Sequence, residues 1–374
     1  MRYLAHGYTR IPASPDPASK LRFHMTLEDV ARRAKVSTAT VSRVLNNVGQ
    51  VKDSTSARVL QAVEELKYYP NLNARMLAGG PNRTLGMIVS NLENPFFLDI
   101  FRTLEADAHR RGYDVLVANT DYRPQHLVSS VRMMLGRGVS GLAVVVSERR
   151  PSLIRELAES KLPVVFYDVG AARPNITNIK VDYRMGMQRI LEYLYGLGHR
   201  RMAFIGHHTS LEPLNDRKAT FLEVAAEYAP RLKVMTVASA DGPIGGQNAA
   251  REILTSGFSP TAIVCVNDFM AVGVLRELHV RRIRVPEDVS VTGFDNIGLA
   301  EFVSPALTTA HIPREEIGHL IGEALIPGPH GGREQGQEIR IDTTLVVRES
   351  TAPAPSRTAT RRTATAGRRQ SKLT

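Results

Sequence analysis

The chain has 374 residues, which is too long for one compact domain, so we expect two or three domains. Its 43% hydrophobic and 23% charged residues are typical of an ordinary globular protein, and its single cysteine, Cys265, excludes an intrachain disulfide. The formal net charge of +11 is concentrated at the two ends of the chain. Residues 351–374 contain six basic and no acidic residues, while residues 81–350 are nearly neutral. This distribution favours a nucleic acid as the partner of the ends.

The first 24 residues show no hydrophobic period and are rich in Pro, Ser and Arg. We expect residues 1–24 to be a disordered arm, unless translation starts at Met25. A helix start follows this segment. Thr26 is a suitable N-cap, and Glu28 and Asp29 place acidic groups in the first turn, where they favour the helix dipole.

Apolar residues recur at helical spacing over residues 26–46 and again over about 54–67, which predicts three short helices that share one core. The stretch between the first two helices, Lys35–Ser37, is long enough only for a tight turn, and its last residue can cap the second helix. We therefore predict an all-α domain over residues 25–70.

A linker and a different pattern follow the helices. Pro70 ends the third helix, and residues 71–82 are predicted to form a hinge segment and linker, too short for a helix that is stable alone. From Thr84, short apolar runs alternate with amphipathic helical stretches, which predicts an α/β body of two doubly wound parallel-sheet subdomains with a ligand cleft between them. The predicted strands are Leu85–Val89, Val115–Ala118, Leu142–Val146, Val164–Tyr167, Met202–Gly206, Val234–Val237, Ile263–Val266 and Val289–Phe294. The basic tail, 351–374, is predicted to be disordered.

Motifs for catalysis are missing from this sequence. It has no Gly-rich phosphate loop, no HExxH zinc motif and no cysteine ligand set, so we expect neither an enzyme nor a cofactor or metal site. No apolar run reaches 18 residues, and Pro12, Pro15 and Pro17 interrupt any signal-peptide core, so we expect a cytoplasmic protein with no membrane partner. A secreted transport receptor would need such a signal and no helical headpiece, and an architectural DNA-binding protein would lack the large neutral body.

Five motifs follow one another in order along the chain: Leu27–Ala31, Val41–Asn46, Asn94–Phe97, Leu197–Arg201 and Val285–Ser290. With these motifs the chain resembles the LacI/GalR family of transcription repressors over residues 26–350. The resemblance implies a helix-turn-helix headpiece, a hinge helix and a periplasmic-binding-protein-like effector domain. It also implies a repressor that binds a palindromic double-stranded DNA operator as a homodimer, with a tetramer left open, and a small-molecule effector, a sugar or a sugar derivative. The expected subdomains are an N-subdomain of about 83–181 and 310–328 and a C-subdomain of about 182–309 and 338–350.

The second helix of the headpiece is expected to lie in the major groove of the operator. Arg43 can bind guanine O6 and N7 there, although it could instead only clamp a phosphate. The residues predicted to face the groove are Thr38, Ala39, Ser42 and Arg43, and those predicted to be buried are Val36, Thr40, Val41 and Val44. The other predicted DNA-binding residues of the headpiece, suited mainly to phosphate contacts, are Thr26, Ser37, Thr40, Ser42 and Asn46.

The segment Asn71–Leu77 resembles the hinge helix of the family. The resemblance implies that Leu77 is a wedge in the minor groove, that Ala74 lets the backbone approach the DNA, and that Arg75 also contacts it. The alternative is a flexible linker in which Leu77 has no role. Lys35 departs from the family, which usually has Gly in this turn, and a left-handed conformation there would cost roughly 1 kcal/mol.

Candidate effector-binding residues follow the predicted strands or open the next helix. Carboxylates, amides, a guanidinium and aromatic rings are the groups that bind a polyhydroxylated ring. The candidates are Asn94, Phe96, Phe97, Asp168, Arg217, Asp241, Asn267, Asp268 and Asp295. The aspartates could instead cap helices, and the two phenylalanines could be core residues. Asp241 stands where some relatives carry a ring-stacking aromatic residue, and whether the effector releases or tightens operator binding stays open.

Overall fold

The computed structural model describes residues 25–46, 49–69, 82–148, 150–168, 170, 172–207, 212–228, 230–328 and 336–355. The chain divides into two compact units, Met1–Pro81 and Asn82–Thr374. Several predicted features lie outside the described residues: the arm 1–24, the hinge residues Ala74, Arg75 and Leu77, and the tail beyond residue 355.

The first unit contains the three predicted helices, α1 (Leu27–Ala34), α2 (Thr38–Asn46) and α3 (Asp53–Glu65). Helical spacing puts apolar side chains on one face of each helix, and these faces form one small core in which Val30 and Val41 are fully buried. The existence of the three helices is confirmed, and α3 begins and ends one to two residues earlier than expected.

Side-chain capping fixes where α1 begins, and backbone geometry fixes where it ends. The Thr26 hydroxyl accepts a hydrogen bond from the Asp29 N–H at 3.2 Å, and the Thr26 N–H donates to the Asp29 carboxylate at 2.9 Å. This reciprocal capping box confirms the predicted N-cap. Lys35 follows the helix with φ 54° and ψ 47°, the left-handed conformation that its place in the turn requires.

The second unit alternates strands and helices in the predicted manner. Its elements in chain order are β1 (Thr84–Val89), α4 (Pro95–Arg110), β2 (Asp114–Asn119), α5 (Pro124–Gly136), β3 (Gly141–Val145), α6 (Pro151–Glu159), β4 (Val164–Tyr167), β5 (Ile176–Val181), α7 (Tyr183–Gly196), β6 (Arg201–His207), α8 (Glu212–Glu227), β7 (Lys233–Ser239), α9 (Gly242–Thr255), β8 (Ala262–Cys265), α10 (Asp268–Val280), β9 (Ser290–Asp295), α11 (Leu299–Phe302), β10 (Thr308–His311), α12 (Arg314–Leu325), β11 (Glu338–Ile341) and β12 (Thr344–Val346). In the part of this unit that the structure describes, no helix is long and apolar enough to cross a membrane.

Two six-stranded sheets form the cores of the two subdomains. The N-subdomain sheet has the order β11-β5-β4-β3-β1-β2 and is parallel throughout. The C-subdomain sheet has the order β12-β10-β9-β8-β6-β7, in which only β12 is antiparallel to its neighbour among the described strands. The central strands β3, β4, β8 and β9 are buried along their whole length, as expected of strands with helices on both faces.

The sequence prediction located eight of these strands and missed β5, β10, β11 and β12. In β5, Asn178 and Lys180 interrupt the apolar residues, and β10 is buried although it begins with two threonines. The last two strands have only four and three residues. Each is too short or too polar to give a hydrophobic run, so the sequence predicts only four strands in each sheet where six are present.

The chain crosses between the subdomains three times: between β5 and α7, between β10 and α12, and between β11 and β12. This corrects two of the expected boundaries. Residues 338–341 pair with β5 in the N-subdomain sheet, whereas we assigned them to the C-subdomain. Residues 310 and 311 belong to β10 of the C-subdomain sheet, whereas we assigned them to the N-subdomain. The sequence of a short edge strand does not indicate which of the two sheets the strand joins.

Glycines bring α9 and α10 close together in the C-subdomain. A Cβ atom on Gly246 would lie 2.0 Å from the Met270 carbonyl oxygen, and one on Gly273 would lie 1.8 Å from the Pro243 carbonyl oxygen. Only glycine allows this approach of two backbones. The N-termini of the two helices therefore lie side by side at the carboxyl edge of the sheet, which places the preceding residues, Asp241 and Asn267, in contact.

Candidate nucleic-acid-binding helix and ligand cleft

Helix α2 has one face packed against the core and one face exposed to solvent. Thr38, Ala39 and Arg43 are exposed, and Ser42 is half-buried, so the four predicted groove-facing residues have the exposure that such a role needs. Val41 and Val44 are buried on the opposite face. The other two residues predicted to be buried, Val36 and Thr40, are only half-buried because they lie at the start of the helix, at the edge of the small core.

The N-terminus of α2 is capped as predicted. Ser37 Oγ accepts a hydrogen bond from the Thr40 N–H at 3.2 Å, and the two hydroxyl groups lie 3.0 Å apart. This bond fixes both side chains at the end of the helix that would approach DNA. Their contacts with phosphates stay a prediction, as do those of Thr26, and the side chain of Asn46 lies outside the described part of the chain.

A small cavity lies between the carboxyl ends of the two sheets. It brings together six of the nine predicted effector-binding residues and adds four tyrosine and serine side chains. Its lining consists of Asn94, Phe96, Phe97, Tyr122, Ser147, Tyr167, Tyr183, Arg217, Asn267 and Asp295. Its volume of about 20 Å³ is close to the room that one water molecule needs, so the subdomains are closed on each other.

The two predicted phenylalanines belong to both the core and the cavity. Phe96 and Phe97 are 4% and 5% exposed, with their rings edge to face at 5.2 Å between centroids. Phe96 also packs against Tyr167. Asn94 Oδ1 caps α4 by accepting a hydrogen bond from the Phe96 N–H at 3.1 Å. The helix start therefore presents these rings to the cavity from a fixed position.

Arg217 and Asp295 form a buried ion pair at the base of the cavity. Arg217 Nη1 lies 3.1 Å from Asp295 Oδ1 and donates a hydrogen bond to the Val266 carbonyl oxygen at 2.7 Å. The guanidinium also lies over the rings of Tyr183 and Phe294, 4.6 and 4.7 Å from their centroids. Both charged side chains are at least 95% buried. Contacts from four directions hold the guanidinium in one orientation.

This ion pair leaves two hydrogen-bonding atoms unused. Arg217 Nε and Asp295 Oδ1 are buried without a hydrogen-bond partner, because the ion-pair geometry does not direct an N–H at the oxygen. Burial raises the pKa of Asp295 to about 6, and the neighbouring Arg217 opposes this rise. A buried donor beside a buried acceptor is suited to a ligand hydroxyl, which can satisfy both.

Asp241 lies at the mouth of the cleft, outside the small cavity. One of its carboxylate oxygens accepts hydrogen bonds from the Tyr122 hydroxyl at 2.6 Å and from Asn91 Nδ2 at 3.3 Å. The other oxygen accepts from Asn267 Nδ2 at 2.9 Å. Two of these three donors come from the N-subdomain, so the predicted binding residue also joins the two subdomains.

Sequence profiles of two known protein families match this chain. The sequence profile of bacterial regulatory proteins of the lacI family matches residues 26–71, and that of a periplasmic binding protein-like domain matches residues 191–351. The HTH-type transcriptional repressor PurR of Erwinia tasmaniensis is 34% identical over 335 residues, which cover 89% of this chain and 98% of the relative. The chain belongs to the lacI family.

Solved structures of lacI-family proteins share this fold. The lac repressor dimer bound to operator and the anti-inducer ONPF has a TM-score of 0.75 and 28% identity, with 88% of this chain and 99% of that chain covered. A lacI-family regulator from Enterococcus faecium, solved with bound ribose, has a TM-score of 0.63 and 26% identity, with 72% and 99% covered. The LacI/GalR resemblance and the predicted fold class of an all-α headpiece with a doubly wound body are therefore confirmed.

Asp168, a predicted effector-binding residue, does not line the cavity. Its φ of 60° turns the side chain toward the Val181 N–H, from which it accepts at 2.9 Å, and toward the Tyr183 hydroxyl, which also donates to it. Burial raises the pKa of Asp168 to about 6, opposed by these hydrogen bonds. Asp168 therefore joins the end of β4 to the first crossing between the subdomains and holds the ring of Tyr183, which does line the cavity.

Asp268 is a second prediction that the structure corrects. The residue is fully buried beneath the cleft, where its carboxylate accepts hydrogen bonds from the Ile297 N–H at 2.9 Å and the Thr309 hydroxyl at 2.6 Å. Burial raises its pKa to about 8, and the nearby Asp295 adds to this rise. Its neighbour Asn267 faces the cavity instead, because side chains of successive residues point in different directions at the start of a helix.

Four cavity residues were missed by the sequence prediction: Tyr122, Ser147, Tyr167 and Tyr183. All four end a strand or follow one within three residues, but Tyr183 follows β5, which was not predicted, so the rule that found Asn94 and Asp295 could have found only the other three. A fifth missed residue, Glu148, lies beside the cavity. Its buried carboxylate accepts hydrogen bonds from Ser90 Oγ at 2.5 Å, the Thr120 hydroxyl and the Ser147 N–H at 3.1 Å.

The position of Glu148 explains how the N-subdomain half of the cleft keeps its shape. Its three donors come from the loops after β1, β2 and β3, and these loops also carry Asn91, Tyr122 and Ser147. One carboxylate therefore holds three loops in fixed positions relative to one another.

Among the described residues, no group of three His, Cys, Asp or Glu side chains is placed to hold a metal ion.

Proposed function

We propose that the protein is a cytoplasmic, ligand-responsive transcriptional repressor that binds a palindromic operator as a homodimer. A small neutral sugar or sugar derivative in the cleft changes its affinity for the operator. The observation that carries this proposal is the buried pair of Arg217 and Asp295, with an unused donor and an unused acceptor, in a chain that also has an exposed helix-turn-helix surface. The effector acts by changing how the subdomains close, which alters operator affinity by about 5- to 150-fold for a typical coupling free energy.

Arg43 is the proposed base-reading residue of the headpiece. It is exposed on α2, and a guanidinium can bind guanine O6 and N7 with two hydrogen bonds. Thr38 and Ala39 are small and would contact bases by shape alone. The lac repressor dimer, solved bound to operator, supports operator binding by this chain. Discrimination is therefore shared with the hinge, where Leu77, Ala74 and Arg75 are proposed from the sequence to enter the minor groove.

The charges of the cleft favour a neutral effector. Asp295 and Asp241 offer carboxylate oxygens, and Glu148 lies buried beside them. Arg217 is the one cation among the described lining residues, and Asp295 already compensates its charge. A phosphate or carboxylate ligand would face these carboxylates without a free cation, whereas a polyol donates hydrogen bonds to them. The ribose-bound relative supports this choice of ligand.

Exposed apolar side chains on the C-subdomain support the homodimer. Ile244, Leu299 and Phe302 are 74%, 45% and 82% exposed. Two of them lie on the short helix α11, directly after the strand that ends at Asp295. A second copy of the chain that covers these side chains would couple the dimer interface to the base of the cleft.

Operator binding tests the DNA half of the proposal. A gel shift compares a palindrome centred on CG with a scrambled duplex of the same length at several salt concentrations. We expect at least a hundredfold preference for an operator-like palindrome, as is usual for specific DNA-binding proteins. Equal affinity for all duplexes, changing only with salt, would show an architectural DNA-binding protein instead.

A thermal-shift panel tests the effector half. It contains neutral sugars and nucleosides, each paired with its phosphorylated form, such as ribose and ribose 5-phosphate. We expect stabilisation by a neutral compound and none by its phosphate, since the phosphate would face the carboxylates of the cleft without a free cation. Stabilisation by the phosphates alone would contradict the proposal. The gel shift repeated with the stabilising compound then distinguishes induction from corepression.

A further inference from the structure

Asp241 does not use its carboxylate in the way that its position in the chain allows. It occupies the N-cap of α9, where an aspartate normally accepts a hydrogen bond from the first turn of its own helix. No such bond is present at this helix start. The carboxylate turns away from the helix and toward the N-subdomain, so a local stabilising contact is exchanged for contacts across the cleft.

The partners of Asp241 across the cleft are Tyr122 and Asn91, which follow β2 and β1 of the N-subdomain. The 2.6 Å bond from the Tyr122 hydroxyl is short, as expected of a donor to a carboxylate. The ring of Tyr122 also packs on the ring of His207 in the C-subdomain, at 5.1 Å between centroids. One side chain of the N-subdomain therefore contacts two residues of the C-subdomain.

The backbone that carries Tyr122 is held in an unfavourable conformation. Asp121 and Tyr122 have φ values of 54° and 55°, the left-handed region that residues with a Cβ seldom occupy. Two such residues in succession require compensation by other contacts. The bond to Asp241 and the packing on His207 supply such contacts. Burial, followed by the charge of Asp241, raises the pKa of Tyr122 well above its usual value, so its hydroxyl keeps the proton that it donates.

We propose that Tyr122 and Asp241 form a latch that holds the cleft closed in the effector-free protein. Opening of the cleft breaks this hydrogen bond and releases a carboxylate for an effector, and this role rests on the proposed effector cleft. The three crossings between the subdomains lie at β5, β10, β11 and β12, on the side of the sheets away from β2 and β7. Tyr122 and Asp241 follow β2 and β7, so the latch joins the subdomains where a hinge motion moves them furthest apart.

The distance between two spin labels in the full-length, effector-free protein tests the latch. The labels are placed through Gln125→Cys on α5 and Glu252→Cys on α9, which are both exposed and lie one on each subdomain. The native Cys265 is buried and its pKa is raised, so it does not react with the label. A large excess of unlabelled protein restricts the measurement to distances within one protomer.

Tyr122→Phe removes only the hydroxyl, and Asp241→Ala removes the acceptor. Each change is expected to shift the ratio of open to closed protein toward the open form by about tenfold or more, the effect of one hydrogen bond to a charged group, and to lengthen the mean label distance. The double variant should open no further than Asp241→Ala, because both changes break the same bond. Tyr113→Phe is the matched control, since Tyr113 is a half-buried tyrosine of the same subdomain that lies outside the cleft.

An unchanged distance distribution in both Tyr122→Phe and Asp241→Ala would overturn the latch, as would opening of equal size in Tyr113→Phe. Circular dichroism confirms that each variant is folded. The measurement uses neither operator nor effector, so failure of the latch leaves the proposed repressor function standing. Failure of the unmutated protein to bind an operator, or to bind a sugar, would instead contradict the proposed function.

Discussion

The headpiece and the body of this protein place their functional side chains in opposite ways. In α2, Thr38, Ala39 and Arg43 are neighbours in sequence and lie exposed on one helix face. In the cleft, Arg217 and Asp295 are 78 positions apart and almost fully buried. A change in α2 should therefore affect binding with little effect on folding, whereas a change in the cleft should affect both.

The largest expected effect concerns Arg217. Replacement by Met should lower the free energy of unfolding by about 3–5 kcal/mol, because Asp295 would remain as a buried charge without its partner. Urea denaturation of the full chain measures this. Arg184→Met is the matched control, since Arg184 forms ion pairs on the surface and is 52% exposed, and it should change stability by less than about 1 kcal/mol. A loss of similar size in both variants would show that burial does not separate the two sites.

Arg43→Ala should weaken DNA binding and leave the stability of the fold almost unchanged. We expect operator affinity to fall by about 10- to 100-fold through loss of one bidentate base contact, with the unfolding free energy changed by less than about 0.5 kcal/mol. Competition gel shifts with specific and scrambled duplexes separate base reading from phosphate contact. As the control, Arg58→Ala removes another exposed positive charge of the same unit, from α3. Equal weakening on both duplexes would make Arg43 a phosphate clamp.

Phe302 lies between these extremes, because it is exposed in one protomer and proposed to be buried in the dimer. Phe302→Ala should weaken dimerisation about tenfold by removing most of a phenyl ring from the interface. Sedimentation velocity at several concentrations measures this. Leu222→Ala on α8, 38% exposed, is the control. A dimer that is as stable in Phe302→Ala as in the unmutated protein would exclude α11 from the interface.

A further expected effect is a pH dependence of stability. The pKa of Asp268 is about 8 in the folded protein, above the usual 3.8, so its contribution to stability is fully present below pH 3.8 and is lost as the pH rises through 8. Asp268→Asn replaces one of the two accepting oxygens by an NH₂ group and so removes one of the two hydrogen bonds, but it should lose less stability relative to the unmutated protein at pH 9 than at pH 5.

Urea midpoints at pH 5, 7 and 9 test this trend. Asp288→Asn is the control, because the hydrogen bond and charge of Arg284 lower the pKa of Asp288 and keep it ionised over this whole range. Its stability difference from the unmutated protein should be constant. A constant difference for Asp268→Asn as well would mean that Asp268 is also ionised throughout.

Features that depend on neighbouring residues were predictable. Thr26 was identified as an N-cap and α2 as a helix with one buried face, because each rests on a few consecutive residues, whereas the left-handed turn at Lys35 was implied by the family resemblance. The same holds for the eight strands with continuous apolar runs. Helix capping and hydrophobic periodicity are local, and the full structure did not override them.

Other features required the three-dimensional structure. The rule that ligands lie at strand ends selected Asp168, Asp268 and Asp295 alike, and only Asp295 lines the cavity. Asp168 accepts hydrogen bonds from the Val181 N–H and the Tyr183 hydroxyl, and Asp268 accepts them from Ile297 and Thr309. The direction of a side chain at a strand end depends on backbone angles and on distant donors that no sequence window contains.

By itself, the sequence of this protein determined the three-helix headpiece, the exposed face with Arg43, the alternation of strands and helices in the body and the family to which the chain belongs. Only the tertiary structure decided which sheet β11 joins, which aspartates face the cavity and that Asp241 bonds with Tyr122 across the cleft. The physical reason is the distance along the chain over which each kind of interaction acts. Propensities, caps and periodicity act over a few residues, whereas the cleft is formed by contacts between residues that are 26 to 150 positions apart.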